Sequence, residues 1–290
     1  MAVNNSLTRE NQRLNISEYL TREDVNESIK RAVGGKDSQR FVAAIISATT
    51  TNPALQGCTN QSILSGALLG ESLKLSPSPQ LGHYYLVPFN DKEKGKVAQF
   101  QLGYKGYIQL AIRSGKYKKL NVIAIKEGEL DYYDPVDETI KINLKHANWD
   151  ERESLATIGY YAFFELINGF RKAIFWSKKQ MESHAIRYSP GYKAKKGFTF
   201  WEKNFDAMAY KTMLRQLIGK WGIMSADLQE AYDSDMAVIN ENGDRNYVEV
   251  DAEIIDATPI TEQLPKEVPP EKTENSENNT NDATAALFGN

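Results

Sequence analysis

The sequence, 290 residues long, predicts an α+β fold: an antiparallel β-hairpin sheet packed on helices, followed by a disordered acidic C-terminal tail. Three observations predict it. Two runs rich in β-branched and aromatic residues, 157–167 and 170–176, flank Asn168-Gly169. That dipeptide tolerates the positive φ that a two-residue hairpin turn needs at both centres. Phe205, Ala209, Met213 and Leu217 recur every four residues and so share one face of a helix over 201–221. Beyond residue 239, Glu, Asp, Asn, Thr and Pro dominate and large apolar side chains become rare. Such a segment cannot bury enough surface to offset the entropy of ordering.

The remaining elements follow in chain order. Residues 1–37 form a polar N-terminal arm, a candidate for oligomer contacts. A short helix is expected from Thr21, with Glu23 and Asp24 near its positive end, and Gly34-Gly35 breaks it. Phe41, Val42, Ile45 and Ile46 sit at helical spacing over 38–49, with Ser38 as the cap. Asn52-Pro53 stops that helix, because the residue before proline disfavours the helical region. A helix over 60–75 buries Ile63, Leu64, Ala67, Leu68 and Leu75, and Ser76-Pro77-Ser78-Pro79 ends it. Strands over 84–89 and 97–104 enclose a charged loop. A short helix over 105–113 closes at Ser114-Gly115. A strand over 120–125 leads into an acidic, turn-rich stretch, and after the hairpin come a helix over 178–188 and a basic loop at 193–197. The domains read as the arm (1–37), an α+β body (38–232) and the tail (233–290).

Composition excludes several classes. Cys58 is the only cysteine, so an internal disulfide framework and zinc sites built on Cys pairs are out. A reducing compartment is expected. No run of 18 apolar residues exists, so no membrane helix is expected. Gly34-Gly35-Lys36 lacks the upstream glycine and following hydroxyl of a phosphate loop, and no G-x-G-x-x-G is present. His83, His146 and His184 lack the spacing of a metal motif.

The net charge of −3 conceals a polarity. Residues 92–220 carry net +10 and residues 221–290 net −13. A basic body with an acidic end suggests a nucleic-acid partner. The cations are Lys105, Arg113, Lys116, Lys118 and Lys119; Arg171, Lys172, Lys178 and Lys179; Lys193, Lys195 and Lys196; and Lys211 and Arg215. Such groups neutralise phosphates and release condensed counterions. Tyr104, Tyr107, Tyr117, Tyr188, Tyr192 and Phe198 lie among them and offer rings on which bases stack. One acidic cluster is an alternative centre. Glu127, Glu129, Asp131, Asp134, Asp137 and Glu138 could hold magnesium for phosphoryl chemistry, and alternate residues on a strand would share a face. This is the basis of a competing reading as a magnesium-dependent nuclease.

Four motifs then carry a resemblance. Gly70-Glu71-Ser72-Leu73-Lys74-Leu75-Ser76-Pro77 comes first, then 81–89 (LGHYYLVPF), then 99–111 (QFQLGYKGYIQLA), then Arg113-Ser114-Gly115. With the helix at 201–220 they resemble the RecT family of phage and prophage single-strand annealing recombinases. The resemblance implies a fold of the single-strand annealing type, and binding and annealing of single-stranded DNA without ATP in rings or helical filaments. It implies no covalent catalytic step and no required cofactor, with Mg2+ at most modulating DNA binding. It places Lys105, Arg113, Lys211 and Arg215 in the DNA groove. Tyr104, Gln109 and the other basic residues, Lys116, Lys118, Lys119, Arg171, Lys172, Lys178, Lys179, Lys195 and Lys196, complete the candidate DNA-binding set. Expected partners are single-stranded DNA, the annealed duplex, further copies of the chain, a 5′→3′ exonuclease and the host single-strand-binding protein, in the cytoplasm of a bacterial host. A passive strand protector is the remaining alternative.

Overall fold

The structure is a computed structural model and describes residues 14–91, 94–143, 149–197 and 199–247. Helix α1 (Ile16–Thr21) begins with a reciprocal cap: Asn15 Oδ1 accepts from Glu18 N at 2.8 Å, and the Glu18 carboxylate accepts from Asn15 N. Helix α2 (Glu23–Val33) follows and stops at Gly34. Leu20 and Ile29 are fully buried, and Asn60 Nδ2 donates to Leu14 O at 2.9 Å. From residue 14, the segment that reads as an arm in the sequence is therefore part of the core. The polar residues are the outer faces of two helices whose few apolar residues point inward.

Helix α3 (Ser38–Thr51), a 3-10 turn (Pro53–Gly57) and helix α4 (Asn60–Ser72) complete the helical layer. Ser38 is the first residue of α3, not its cap, and its hydroxyl donates to Gly35 O. Against α4 lies a sheet in the order β1-β2-β8-β9, with β1 (Tyr84–Asp91) and β2 (Gly95–Leu102) antiparallel in the register Leu86↔Phe100. Helix α5 (Tyr104–Arg113) follows.

A second sheet has the order β3-β6-β7 and contains the hairpin read from the sequence. Strand β3 (Tyr117–Lys126) leads to the small pair β4 (Leu130–Asp134) and β5 (Thr139–Ile142), then helix α6 (Trp149–Ser154). Strands β6 (Thr157–Leu166) and β7 (Arg171–Ser177) pair in the register Tyr160↔Trp176. Their turn differs from the expected two-residue form. Leu166 N donates to Phe170 O and Gly169 N to Leu166 O, so the loop has three residues. Gly169 alone takes positive φ (87°), because a type I turn followed by one left-handed residue needs glycine only at its last position.

Helix α7 (Lys178–Tyr188) starts on a Ser177–Gln180 capping box, and the short α8 (Pro190–Lys193) follows. The last long helix divides into α9 (Phe200–Lys203) and α10 (Phe205–Trp221). Two cap signals sit in series there: Thr199 with Glu202, then Asn204, whose side chain accepts from Ala207 N. Helix α10 separates two cores. Ala209, Met213 and Leu217 pack on Tyr160, Ala162 and Phe164 of the hairpin sheet, while Leu214 and Ile218 face the helical layer. Each of the buried Leu, Ile, Met and Phe side chains among these contributes about 1.5–3 kcal/mol of apolar burial.

Helix α11 (Ala226–Ser234) leads to β8 (Ala237–Ile239) and β9 (Arg245–Tyr247). The folded body thus runs past the boundary expected at 232: β8 pairs with β2 at Phe100↔Ala237. Three apolar residues are too few to lift the composition of that stretch, although each is buried. The acidic tail beyond residue 247 lies outside the described residues, as do Phe198 and His146.

Candidate nucleic-acid interface

Three of the four quoted motifs and the 201–220 helix meet around one hollow of about 180 Å³. Pro77 and Pro79 come from the loop after α4, Tyr85 and Leu86 from β1, and Gln101 to Tyr104 from β2 and the start of α5. Phe200, Asn204, Ala207, Met208 and Lys211 come from α9 and α10, and Asn52 and Leu55 from the turn after α3. The rings of Tyr85 and Phe200 lie 6.0 Å apart, and those of Tyr104 and Tyr210 5.6 Å apart. Two glycines hold the motifs together. A Cβ on Gly103 would stand 2.1 Å from Gly82 O, and one on Gly106 2.1 Å from His83 O. Gly103 N donates to His83 O at 2.8 Å, so the first turn of α5 sits directly on the 82–83 backbone. The half-buried Lys105 side chain lies over Gly82, next to the Tyr85 hydroxyl.

The candidate cations divide into engaged and open groups. Lys211 Nζ meets Asp235 Oδ1 at 2.8 Å, and Arg215 Nη1 meets Asp235 Oδ2 at 2.9 Å. Asp235 is inaccessible to solvent and also accepts from Leu102 N (2.9 Å) and the Tyr107 hydroxyl (3.2 Å). Burial, then the Asp235 carboxylate, push the Tyr107 hydroxyl well above the usual tyrosine range. Arg215 further bonds the Tyr107 hydroxyl and Tyr232 O, and lies 4.0 Å from the Tyr232 ring. Arg113 donates to Leu73 O and Lys74 O, closing the end of α4, and lies 3.6 Å from Asp227. Three of the four cations that the resemblance assigns to the groove are therefore engaged by protein groups, Lys211 buried, Arg215 half-buried and Arg113 at the surface, and Lys105 is the fourth.

Glu165 holds two more: Lys118 at 2.6 Å and Arg171 at 3.5 Å. The bond from Lys118 keeps its carboxyl below the usual range. Lys172 pairs with Glu138, and its amine sits 3.6 Å from the Trp221 ring centre. The side chains of Lys105, Gln109, Lys116, Lys119, Lys178, Lys179 and Lys195 have no hydrogen bond or ion pair among the described residues. All but Lys105 are exposed. Lys196 is exposed beside Lys195. Arg171 and Ser177 bound β7, so Lys178 and Lys179 lie roughly 20 Å from the Arg171 end.

The acidic segment does not gather its carboxylates at one point. Glu127, Glu129 and Asp131 do not share a strand, because β3 ends at Lys126 and Gly128 turns the chain with φ 79°. Glu129 is buried against Arg152 at 2.6 Å, and Asp134 accepts from Val136 N and the Tyr132 hydroxyl. Among the described residues no three His, Cys, Asp or Glu side chains converge as metal ligands. Cys58 is buried, and burial pushes its thiol up to about 12, so it is protonated at neutral pH. No described helix is long and apolar enough to cross a membrane.

Sequence reasoning missed Asn52, Tyr85, Phe200, Asp235 and Glu165. Tyr85 stood within a quoted motif, and Asn52 carried only a helix-stop signal. Asp235 fell inside the region assigned to the tail.

Fold and hollow together define a class: an α+β protein whose surface offers unpaired lysines and flat rings, the side chains that nucleic acids engage. The chain belongs to the RecT family, whose family model matches residues 39–282. It is 41% identical over 230 residues to the "Uncharacterized protein YqaK" of Bacillus subtilis, covering 78% of this chain and 73% of that one. It is 32% identical over 187 residues to "Protein RecT" of Escherichia coli, covering 63% of this chain and 65% of that one. Membership places it among the single-strand annealing proteins of recombination, which are not classical enzymes.

Proposed function

We propose that the chain binds single-stranded DNA and anneals it to a complementary strand without ATP, as rings or helical filaments in the cytoplasm of a bacterial host. It holds the strand mainly by its backbone, leaving base edges free to test a second strand. The observation that carries this reading is the meeting of the family's separated motifs at one aromatic hollow with Lys105 beside it. Open lysines on β3, α7 and the turn after α8 supply further phosphate contacts. Pairing releases about 1.4 kcal/mol per base-pair step, so a few mismatches reject a wrong partner with no base contacts from the protein. No cofactor is required in this reading, and Mg2+ acts only by competing for phosphates. A 5′→3′ exonuclease supplies the single strand, and the host single-strand-binding protein is displaced from it.

The test is annealing of two labelled complementary oligonucleotides without ATP, with and without Mg2+, over a salt series. Full-length duplex formed faster than without protein is expected. Binding with no acceleration would reduce the protein to a strand protector, and shortened strands in Mg2+ would restore the nuclease.

A further inference from the structure

The hollow has features that phosphate binding does not use. Its only charged lining group among the described residues, Lys211, is already neutralised by Asp235. Tyr85 and Phe200 supply flat rings, and Ala48, Leu55, Pro77 and Pro79 supply further apolar surface. Three amide side chains break this apolar lining, and of these Asn204 already accepts from Ala207 N. Asn52 Oδ1 is buried with no hydrogen-bond partner. Gln101 donates its amide to Gln99 Oε1 at 2.8 Å, which leaves its own oxygen as an acceptor. A buried acceptor without a donor is destabilising, so a bound group that brings a donor to it gains free energy.

We propose that the hollow receives one unstacked nucleobase of the bound strand per protomer, packed on Tyr85 and Phe200, with its amino or ring N–H donating to Asn52 Oδ1 once the Asn52 amide turns into the hollow. The inference rests on the single-strand-binding function proposed above. A base fits better than an apolar side chain from a second copy: it brings a flat face for the rings and a donor for Asn52, whereas an apolar side chain leaves that oxygen unpaired. Every base has a face that stacks, so the site tolerates sequence. Parking one base fixes the strand's register on each protomer while its neighbours stay free to pair.

The experiment compares binding of an ordinary oligonucleotide with that of an equal-length abasic strand, by full-length wild type, Phe200→Ala and Asn52→Leu. Wild type is expected to prefer the ordinary strand by about fivefold or more, the lower range for stacking one base. Both variants should lose most of that preference, while the slope of log affinity on log salt stays unchanged, because phosphate contacts are intact. Thermal melts show whether each variant is folded, and Asn52→Leu serves if Phe200→Ala is not. Folded variants that keep the full preference overturn the inference, as does a change in assembly size with the preference intact. Failure of wild type to bind either strand overturns both the inference and the function beneath it.

Discussion

Lys211 and Asp235 lie 2.8 Å apart, with the Asp235 carboxylate closed to solvent, and the same carboxylate also holds Arg215. A charge pair in such a place is strongly destabilising to break, because the surviving charge stays buried without a partner. Asp235→Ala is therefore expected to lower stability by about 3–5 kcal/mol, read as a shift in the urea midpoint with little change in slope. A midpoint within experimental error of wild type would show that the network contributes little.

The same carboxylate dictates where the chain can be shortened. Truncation after residue 232 removes Asp235 and β8 and should yield protein that unfolds at far lower denaturant. Truncation after residue 247 leaves every described element in place and should melt like the full chain. Equal melting of the two truncations would contradict the placement of β8 in the sheet.

Glu165 restrains Lys118 and Arg171. Glu165→Gln removes the negative charge, so both cations become available to phosphates. Affinity for a single strand at low salt should rise, and the salt slope should steepen by up to about 1.4, at roughly 0.7 per contact. The converse holds for the open lysines: Lys105→Ala should flatten the slope by about 0.7. A slope that Glu165→Gln leaves unmoved would place Lys118 and Arg171 away from the strand.

Gly106→Ala should destabilise the protein although alanine favours helices by about 1 kcal/mol. The added methyl meets the His83 carbonyl at 2.1 Å, and a backbone carbonyl cannot swing aside as a flexible side chain can. Helix α5 must shift, and an overpacked contact of this kind costs typically about 1–3 kcal/mol. An increase in melting temperature would refute the close approach.

His83 and His184 are both held below the ordinary histidine range, chiefly by burial. Arg113 and Lys105 add to it at His83, and Arg187 at His184. The folded state thus prefers the neutral imidazoles, and the unfolded chain binds protons more readily. Their contribution is fully present above the unfolded value of about 6.5 and is lost as pH falls through the lower folded values. Melting temperature should fall as pH drops from 7.5 to 5, and His184→Gln should flatten that dependence.

The hairpin, the helix over 178–188 and the four-residue period of α10 were legible because local pattern decides them. Phe205, Ala209, Met213 and Leu217 repeat on one face whatever surrounds them. The role of Lys211 was not legible. Its position on α10 could be read, but its partner lies 24 residues away, in a segment whose composition reads as tail. Arg113 illustrates the same limit, since its bonds reach back 39 and 40 residues. The hollow was half legible. Its motifs stood out as strings, but the contacts that join them, such as the close approach of Gly103 and Gly106 to residues 82–83, leave no sign in the spacing.

The pairing of β2 with β8 also sets the order of events during synthesis. Gln99 waits for a partner, Met236, that lies 137 residues further on. At roughly 5–20 residues per second, the ribosome needs about 7–27 s to deliver it. Through that interval β2 has an unpaired edge, and the carboxylate that closes the interior around Lys211 and Arg215 is missing. The nascent chain is thus exposed to edge-to-edge pairing with its neighbours on the same messenger until its last strands arrive.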